Sequence, residues 1–260
     1  MGVDERSKLH HGTLMPIAAS AAASGRGSPF HSLGAPLEGV LKEYIAVPAE
    51  DAVLVPPHLS DEEASTLPIA ALTAWSALMD ANIKAGDTVI VQGTGGVALF
   101  ALQFAKLFGA RVLALSSSDE KLKTVAELGA DVGINYKTTP DWDKAVREAT
   151  GGRGADIIVD TAGATLSTSL SAVSFGGFVG VVGFVAGYEA TIQLRQLIGP
   201  MVRVQGIAVG SRARFEAMNR CIAQHGLRPV IDKVFTLETA VDAFKRMESG
   251  SHFGKVVVQI

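Results

Sequence analysis

Residues Gly93-Thr94-Gly95-Gly96-Val97-Ala98 carry the spacing G-x-G-x-x-A, in which each small residue has a mechanical use. Gly93 permits a tight turn, Gly95 lets a pyrophosphate approach the backbone, and Ala98 lets a helix pack close to a strand. The chemistry this pattern serves is the holding of a dinucleotide, whose phosphates face the free N–H groups that open a helix. The same six residues could also be a mere packing turn. Their surroundings favour the nucleotide: the short β-branched run Thr88 to Val91 precedes them, a helical pattern from Val97 to Phe108 follows, and a second apolar run, Arg111 to Leu115, comes next.

The end of that second run bears on which dinucleotide is held. An NAD-binding unit usually closes its second strand with Asp or Glu, which holds the adenosine ribose 2′-OH. Here the place belongs to Ser116. A carboxylate would repel a 2′-phosphate, whereas Ser116, Ser117 and Ser118 can donate hydrogen bonds to one and Lys121 can supply a cation. NADP(H) is therefore expected over NAD(H), although NAD(H) stays possible because Asp119 and Glu120 are acidic and the serines can equally cap a helix. Tyr136, at the end of a third strand, either helps to cover the adenosine phosphate or is a strand-end aromatic.

Other chemistry-bearing residues are sparse. The single cysteine, Cys221, excludes an internal disulfide and any multi-cysteine zinc site, and it reads as a packed helical residue in a protein of a reducing, cytoplasmic compartment. No Cys/His set supplies metal ligands at a spacing of about 2 to 4 residues, and the pair His10-His11 is too short a cluster. Tyr44, His58 and Tyr136 could donate a proton, but Tyr44 reads as a packed residue and His58, beside Pro56-Pro57, as a solvated loop residue. No catalytic residue emerges. A net charge of −3 with no basic stripe argues against nucleic acid or an anionic membrane as partner, and no apolar run is long enough to span a bilayer.

Around the glycine turn the chain alternates strand and helix. Capping boxes at Ser60 to Glu63 and near Ser117 open helices, the first running over Ala64 to Met79 with a break at Pro68. Further strands are expected at Val132 to Tyr136, Asp156 to Val159, Gly177 to Phe184 and Val202 to Val209, with helices at Trp142 to Thr150, Leu166 to Val173 and Leu194 to Pro200. Short connections between so many units predict an α/β fold: a doubly wound parallel sheet of Rossmann type. Beyond it, Arg212 to His225 and Leu237 to Ser249 read as helices beside strands at Pro229 to Phe235 and Lys255 to Ile260. Ahead of it, Val40 to Val47 and Val53 to Pro57 read as strands. Residues 1–32, rich in Ala, Ser and Gly, read as a disordered arm; Pro16, Asp4 and Glu5 argue against a targeting peptide, and Arg6 breaks a myristoylation motif.

Several stretches together resemble the medium-chain dehydrogenase/reductase superfamily, and within it the zinc-independent, zeta-crystallin-like quinone oxidoreductases. They are AALTAWSAL at 70–78, GDTVIVQGTGGVALFALQFAK at 86–106, SSSDEKL at 116–122, LGADVGINY at 128–136, TGGRGADIIVDTAG at 150–163 and HFGKVVV at 252–258. The resemblance implies a dinucleotide-binding domain over 66–209 and, over 33–65 and 210–260, an incomplete remnant of a GroES-like substrate domain, of which about 100 residues, a small domain's worth, are wanting. It also implies roles. Thr73 and the turn Val182-Gly183 would lie near the nicotinamide, Gly93, Thr94, Gly95, Gly96 and Val97 at the pyrophosphate, Ser116, Ser117, Lys121 and Tyr136 at the adenosine end, and Thr161, Ala162 and Gly163 by the ribose. Read without the resemblance, Thr73 caps helix carbonyls and Val182-Gly183 is core strand.

Zinc-dependent relatives have a cysteine just ahead of Ala70, where this chain has Ile69, so no zinc is expected. The implied activity is hydride transfer between nicotinamide and a small carbonyl, quinone or enone, and the implied assembly is a homodimer through the sixth strand. The competing expectation is a truncated nucleotide-binding relative or pseudoenzyme with little or no turnover. The short-chain dehydrogenase pattern fails, since Tyr44, Tyr136 and Tyr188 are followed four residues on by Pro48, Pro140 and Ile192 where it needs lysine.

Overall fold

In the computed structural model, residues 32–33, 36–47 and 52–260 are described. The expected arm over 1–32 lies, apart from Ser32, outside them. The described residues divide into two units, Thr73–Ala208 and a second made of those up to Leu72 with Val209–Ile260.

The first unit is built on a six-stranded, all-parallel sheet. Its strands are β1 (Thr88–Gln92), β2 (Arg111–Ser116), β3 (Val132–Asn135), β4 (Ala155–Asp160), β5 (Val173–Val181) and β6 (Arg203–Gly206), in the spatial order β3-β2-β1-β4-β5-β6. All of β1 is buried, as are five of the six residues of β2, which is why these strands read as unbroken apolar runs rather than as alternation. The helices between them are α1 (Gly96–Leu107), α2 (Asp119–Glu127), α3 (Trp142–Ala149), α4 (Leu166–Ala172) and the single turn α5 (Arg195–Ile198). One buried cluster joins Ile90, Leu113, Ile134, Trp142, Val146, Ile158, Leu170 and Val179. A helix of the preceding segment, Leu72–Ala81, brings Trp75 edge-on to Phe104 at 5.3 Å. Strand order reverses between β1 and β4. That reversal is the switch point at which doubly wound sheets open a crevice.

Both ends of the fifth strand differ from the sequence reading. The fifth strand begins at Val173, four residues before Gly177, because α4 runs straight into extended backbone and the register shifts between Ala155 and Ile157. It ends at Val181, so Val182, Gly183 and Phe184 lie past the strand rather than within it. At the sheet's other edge, Asp156 accepts from the Thr88 N–H at 2.7 Å and pairs with Arg153. Burial alone would raise the Asp156 carboxyl, but the Arg153 and Thr88 hydrogen bonds outweigh it and hold it below the usual carboxylate range.

In the second unit, Ser60 caps a short helix, Asp61–Ser65, through the reciprocal Ser60–Glu63 box, and a π turn over Leu67–Ala71 takes up Pro68. Its C-terminal part has α6 (Arg212–His225), α7 (Ala240–Glu248) and the parallel pair β7 (Ile231–Thr236) and β8 (Lys255–Gln259). Residues 40–47 form no strand. No described strand pairs with them, so alternation has no ladder to stabilise it, and Tyr44 is 86% exposed rather than packed. Of 53–57 only Val53 makes a bridge. His58 is not simply solvated: its Nε2 lies 3.0 Å from the Leu227 carbonyl. Cys221 is half-buried on α6, where burial raises its thiol pKa. Among the described residues no helix is long and apolar enough to cross a membrane.

Candidate cofactor site

The site lies along the carboxyl edge of the parallel sheet. The Gly93 N–H donates to the Leu115 carbonyl at 2.7 Å and the Tyr136 N–H to the Ser116 carbonyl at 3.0 Å, so the ends of β1, β2 and β3 are joined by backbone. Gly93 has φ +81°, a left-handed conformation that a side chain would strain. Gly95 is the N-cap of α1 and offers no side chain to cap it. A methyl group built on Gly95 would meet nothing within 4 Å, so the space beside this backbone is open. Gly95, Gly96 and Val97 are half-exposed, whereas Thr94 is buried. An open glycine cap ahead of uncapped helical N–H groups fits a pyrophosphate.

The second half of the edge is set by a polar network that the sequence reading missed. Asp160, closing β4, is fully buried. Its Oδ1 accepts from the N–H groups of Ala162 (3.0 Å) and Gly163 (2.9 Å), and its Oδ2 from the Ser169 hydroxyl (2.7 Å). Gln92, closing β1, donates from Nε2 to Ser169 Oγ at 2.9 Å and accepts at Oε1 from the Ala162 N–H at 3.3 Å. The Thr161 hydroxyl donates to the Gln92 carbonyl at 2.9 Å. One cluster therefore locks the Thr161-Ala162-Gly163 turn against the strand that carries the glycine loop. The sequence signal available was a polar residue closing each of two strands with apolar centres, TVIVQ and ADIIVD.

Beyond that turn, the Val182 N–H donates to the Asp160 carbonyl at 2.8 Å, and a Cβ on Gly183 would stand 2.9 Å from the Thr161 carbonyl oxygen. Residues 182–188 line an open depression of about 530 Å³. The structure thus brings Gly93 to Val97, Thr161 to Gly163, Val182 and Gly183 onto neighbouring strand ends. Thr73, near the start of the Leu72–Ala81 helix, is buried.

At the adenosine end the serines divide their work. Ser116 is 2% exposed and its hydroxyl turns inward to accept from the Ser118 N–H at 3.3 Å. Ser118 caps α2, accepting from the Lys121 N–H at 3.3 Å. Ser117 and Lys121 are half-buried and Tyr136 is exposed. The acidic Asp119 accepts from Asn135 Nδ2 at 2.8 Å, across the ends of α2 and β3. No group of three or more His, Cys, Asp or Glu is placed to hold a metal among the described residues. Ile69, which has no ligating atom, is 56% exposed in the π turn.

Residues 96–224 match the family model described as zinc-binding dehydrogenase. The zinc-type alcohol dehydrogenase-like protein C1773.06c of Schizosaccharomyces pombe is 40% identical over 237 residues, 88% of this chain and 68% of that protein. A Sinorhizobium meliloti 1021 protein solved as a candidate alcohol dehydrogenase is 44% identical with a TM-score of 0.86, over 91% of this chain and 70% of that one. A solved NAD-dependent alcohol dehydrogenase is 36% identical with a TM-score of 0.85, over 93% and 71%. The chain thus spans about two thirds of the length of these relatives.

Proposed function

The chain belongs to the medium-chain dehydrogenase/reductase superfamily of NAD(P)-dependent oxidoreductases, and on that premise we propose that it works with NADP(H) and without zinc. The reaction assigned is hydride transfer between the nicotinamide and a small carbonyl or activated alkene, such as a quinone or enone. The observation that carries this reading is the open glycine cap at Gly95 beside the locked Thr161 to Gly163 turn, at the sheet's switch point.

When bound, the dinucleotide supplies the hydride, and the protein's part is position and exclusion of water. Gly93 to Val97 would hold the pyrophosphate, Thr161 to Gly163 the ribose, and Val182 and Gly183 the nicotinamide end. Ser117 and Lys121 are the side chains offered to a 2′-phosphate, with Ser116 holding the turn beneath them. Zinc independence rests on Ile69, whose side chain has no lone pair to donate. A homodimer is proposed through β6, an edge strand with all four residues exposed. A cytoplasmic setting is proposed on the single cysteine.

A second reading, binding without turnover, is favoured by the residues at 182–188, among which Tyr188 alone carries a proton-bearing side-chain group. Titration of the purified chain with NADPH and NADH, followed at the nicotinamide fluorescence, tests the cofactor assignment. Tighter binding of NADPH is expected, and Lys121→Gln should weaken NADPH about 5- to 10-fold while leaving NADH unchanged. Tighter NADH binding by the parent sinks the preference. Loss of nicotinamide absorbance with a quinone or enone sinks the second reading.

A further inference from the structure

Residues 182–188 are held more firmly than an exposed loop needs. Besides the Val182 bond to Asp160, the Val185 N–H donates to the Thr161 carbonyl at 3.1 Å, the Ala186 N–H to the Ala162 carbonyl at 3.0 Å and the Gly187 N–H to the Phe184 carbonyl at 3.0 Å. Gly163 and Gly187 form a parallel bridge so close that a Cβ on Gly163, at φ +73°, would stand 2.8 Å from the Gly187 carbonyl oxygen. This firmly tied backbone displays apolar side chains to solvent: Phe184 is 58% and Tyr188 85% exposed, and their ring centroids lie 4.6 Å apart at a tilt of 32°. Val185 is exposed beside them. The segment 182–188 contains no charged residue.

We propose that the Phe184–Tyr188 pair is a specificity platform on which a planar, conjugated carbonyl substrate lies: a quinone or an aryl-substituted enone rather than an alkyl one. The inference rests on the reading of Val182 and Gly183 as the nicotinamide end, since that places the pair next to the reacting carbon. The depression of about 530 Å³ is within the range of a small-molecule site, about 300–1,000 Å³. Aromatic rings stack on one another beyond what their buried area gives, and rings carried on a backbone already tied in place cost less ordering when a third ring joins. The Tyr188 hydroxyl is the only side-chain hydrogen-bond donor within 182–188, and the absence of charge there offers no partner to an acid or a phosphate ester.

The test uses the full chain saturated with NADP⁺ and two ligands, benzylideneacetone and an alkyl enone with the same number of carbons, with binding followed by ligand-observed saturation-transfer NMR. The aryl enone should bind roughly 3- to 10-fold tighter. Phe184→Ala with Tyr188→Ala should erase that preference and leave NADPH affinity unchanged; both side chains are exposed, so the fold should hold. Phe184→Tyr with Tyr188→Phe, which keeps both rings, should retain it. Equal affinity for the two enones in a chain that binds NADPH overturns this inference alone, as does a preference that survives the double alanine change. A shift in oligomeric state with no change in enone binding assigns the rings to a contact between copies and overturns it too. Failure of the parent to bind NADPH overturns the cofactor reading, and this inference with it.

Discussion

Replacing Gly95 by alanine separates the cofactor role of the glycine loop from its folding role. Gly95 has φ −80° and ψ 176°, extended backbone that alanine adopts without strain, and the added methyl meets no protein atom within 4 Å. Two opposed effects act on stability. Alanine is a poorer N-cap than glycine, at a cost of about 0.5–1 kcal/mol, while the less flexible unfolded chain returns about 0.4–1 kcal/mol. The net change should stay within about 0.5 kcal/mol, a shift in unfolding temperature of about 2 °C or less for a chain of this size. The methyl would instead stand in the space assigned to the pyrophosphate. Forcing one methyl group into a close-packed contact costs about 1–3 kcal/mol, so the cofactor dissociation constant should rise roughly 5- to 150-fold. Urea unfolding gives the first quantity and NADPH fluorescence titration the second. A variant as stable as the parent that still binds NADPH within twofold of it would refute the placement of the phosphates at Gly95.

Two further changes probe the scaffold. Asp160→Asn replaces Oδ2, which now accepts from the Ser169 hydroxyl at 2.7 Å, with a donor, leaving the Ser169 proton without its acceptor; a loss of about 1–3 kcal/mol in urea unfolding is expected, and unchanged stability would show that the network contributes nothing. In the second unit, Asp232 is bound through both oxygens by Arg246, at 2.8 and 2.9 Å, and accepts from the Phe253 N–H at 2.9 Å. The Arg246 hydrogen bond comes first among the causes that lower its pKa, and burial opposes it. Because the folded value is depressed, the stabilisation is complete above the unfolded pKa, about 3.9, and is lost as pH falls through the folded value. The parent and Asp232→Asn should therefore differ in urea midpoint at pH 7 and converge in acid below that lower value; a gap that stays constant with pH would disprove the linkage.

The sheet and the glycine loop were legible because burial on both faces leaves a strand such as Thr88–Gln92 little but apolar, β-branched residues, and because a turn at φ +81° selects glycine. Ser60 and Glu63 were legible as a cap because both reciprocal bonds are local. What failed was non-local. Residues 40–47 alternate like a strand, but a strand exists only where another pairs with it. The start of β5 was hidden because Ser174 is a polar residue buried at 3%, 3.4 Å from Asp156 Oδ1, in a stretch whose register shifts. Phe184 closes an apolar run and so read as the end of that strand, yet the chain leaves the sheet at Val181 and presents it to solvent. At the adenosine end the polar residue types are plain in the sequence, but which serine turns inward is decided by the Ser118 N–H, a matter of turn geometry that composition does not carry.

The two halves of the proposed site are coupled through a few atoms. Gln92 holds the Thr161 hydroxyl and the Ala162 N–H; the carbonyls of Thr161 and Ala162 in turn hold the N–H groups of Val185 and Ala186. The chain of bonds runs from the strand that carries the glycine loop to the loop that carries the aromatic pair, with Asp160 fixing its middle through Ala162 and Gly163. Loosening the middle must disturb both ends, whereas trimming the rings disturbs only one. Asp160→Asn should accordingly weaken NADPH binding and blunt the aryl preference together, while the double alanine change at Phe184 and Tyr188 moves the preference alone. A variant at Asp160 that lost one property and kept the other in full would show that the two loops are held independently, and that the hydrogen-bonded chain between them is incidental.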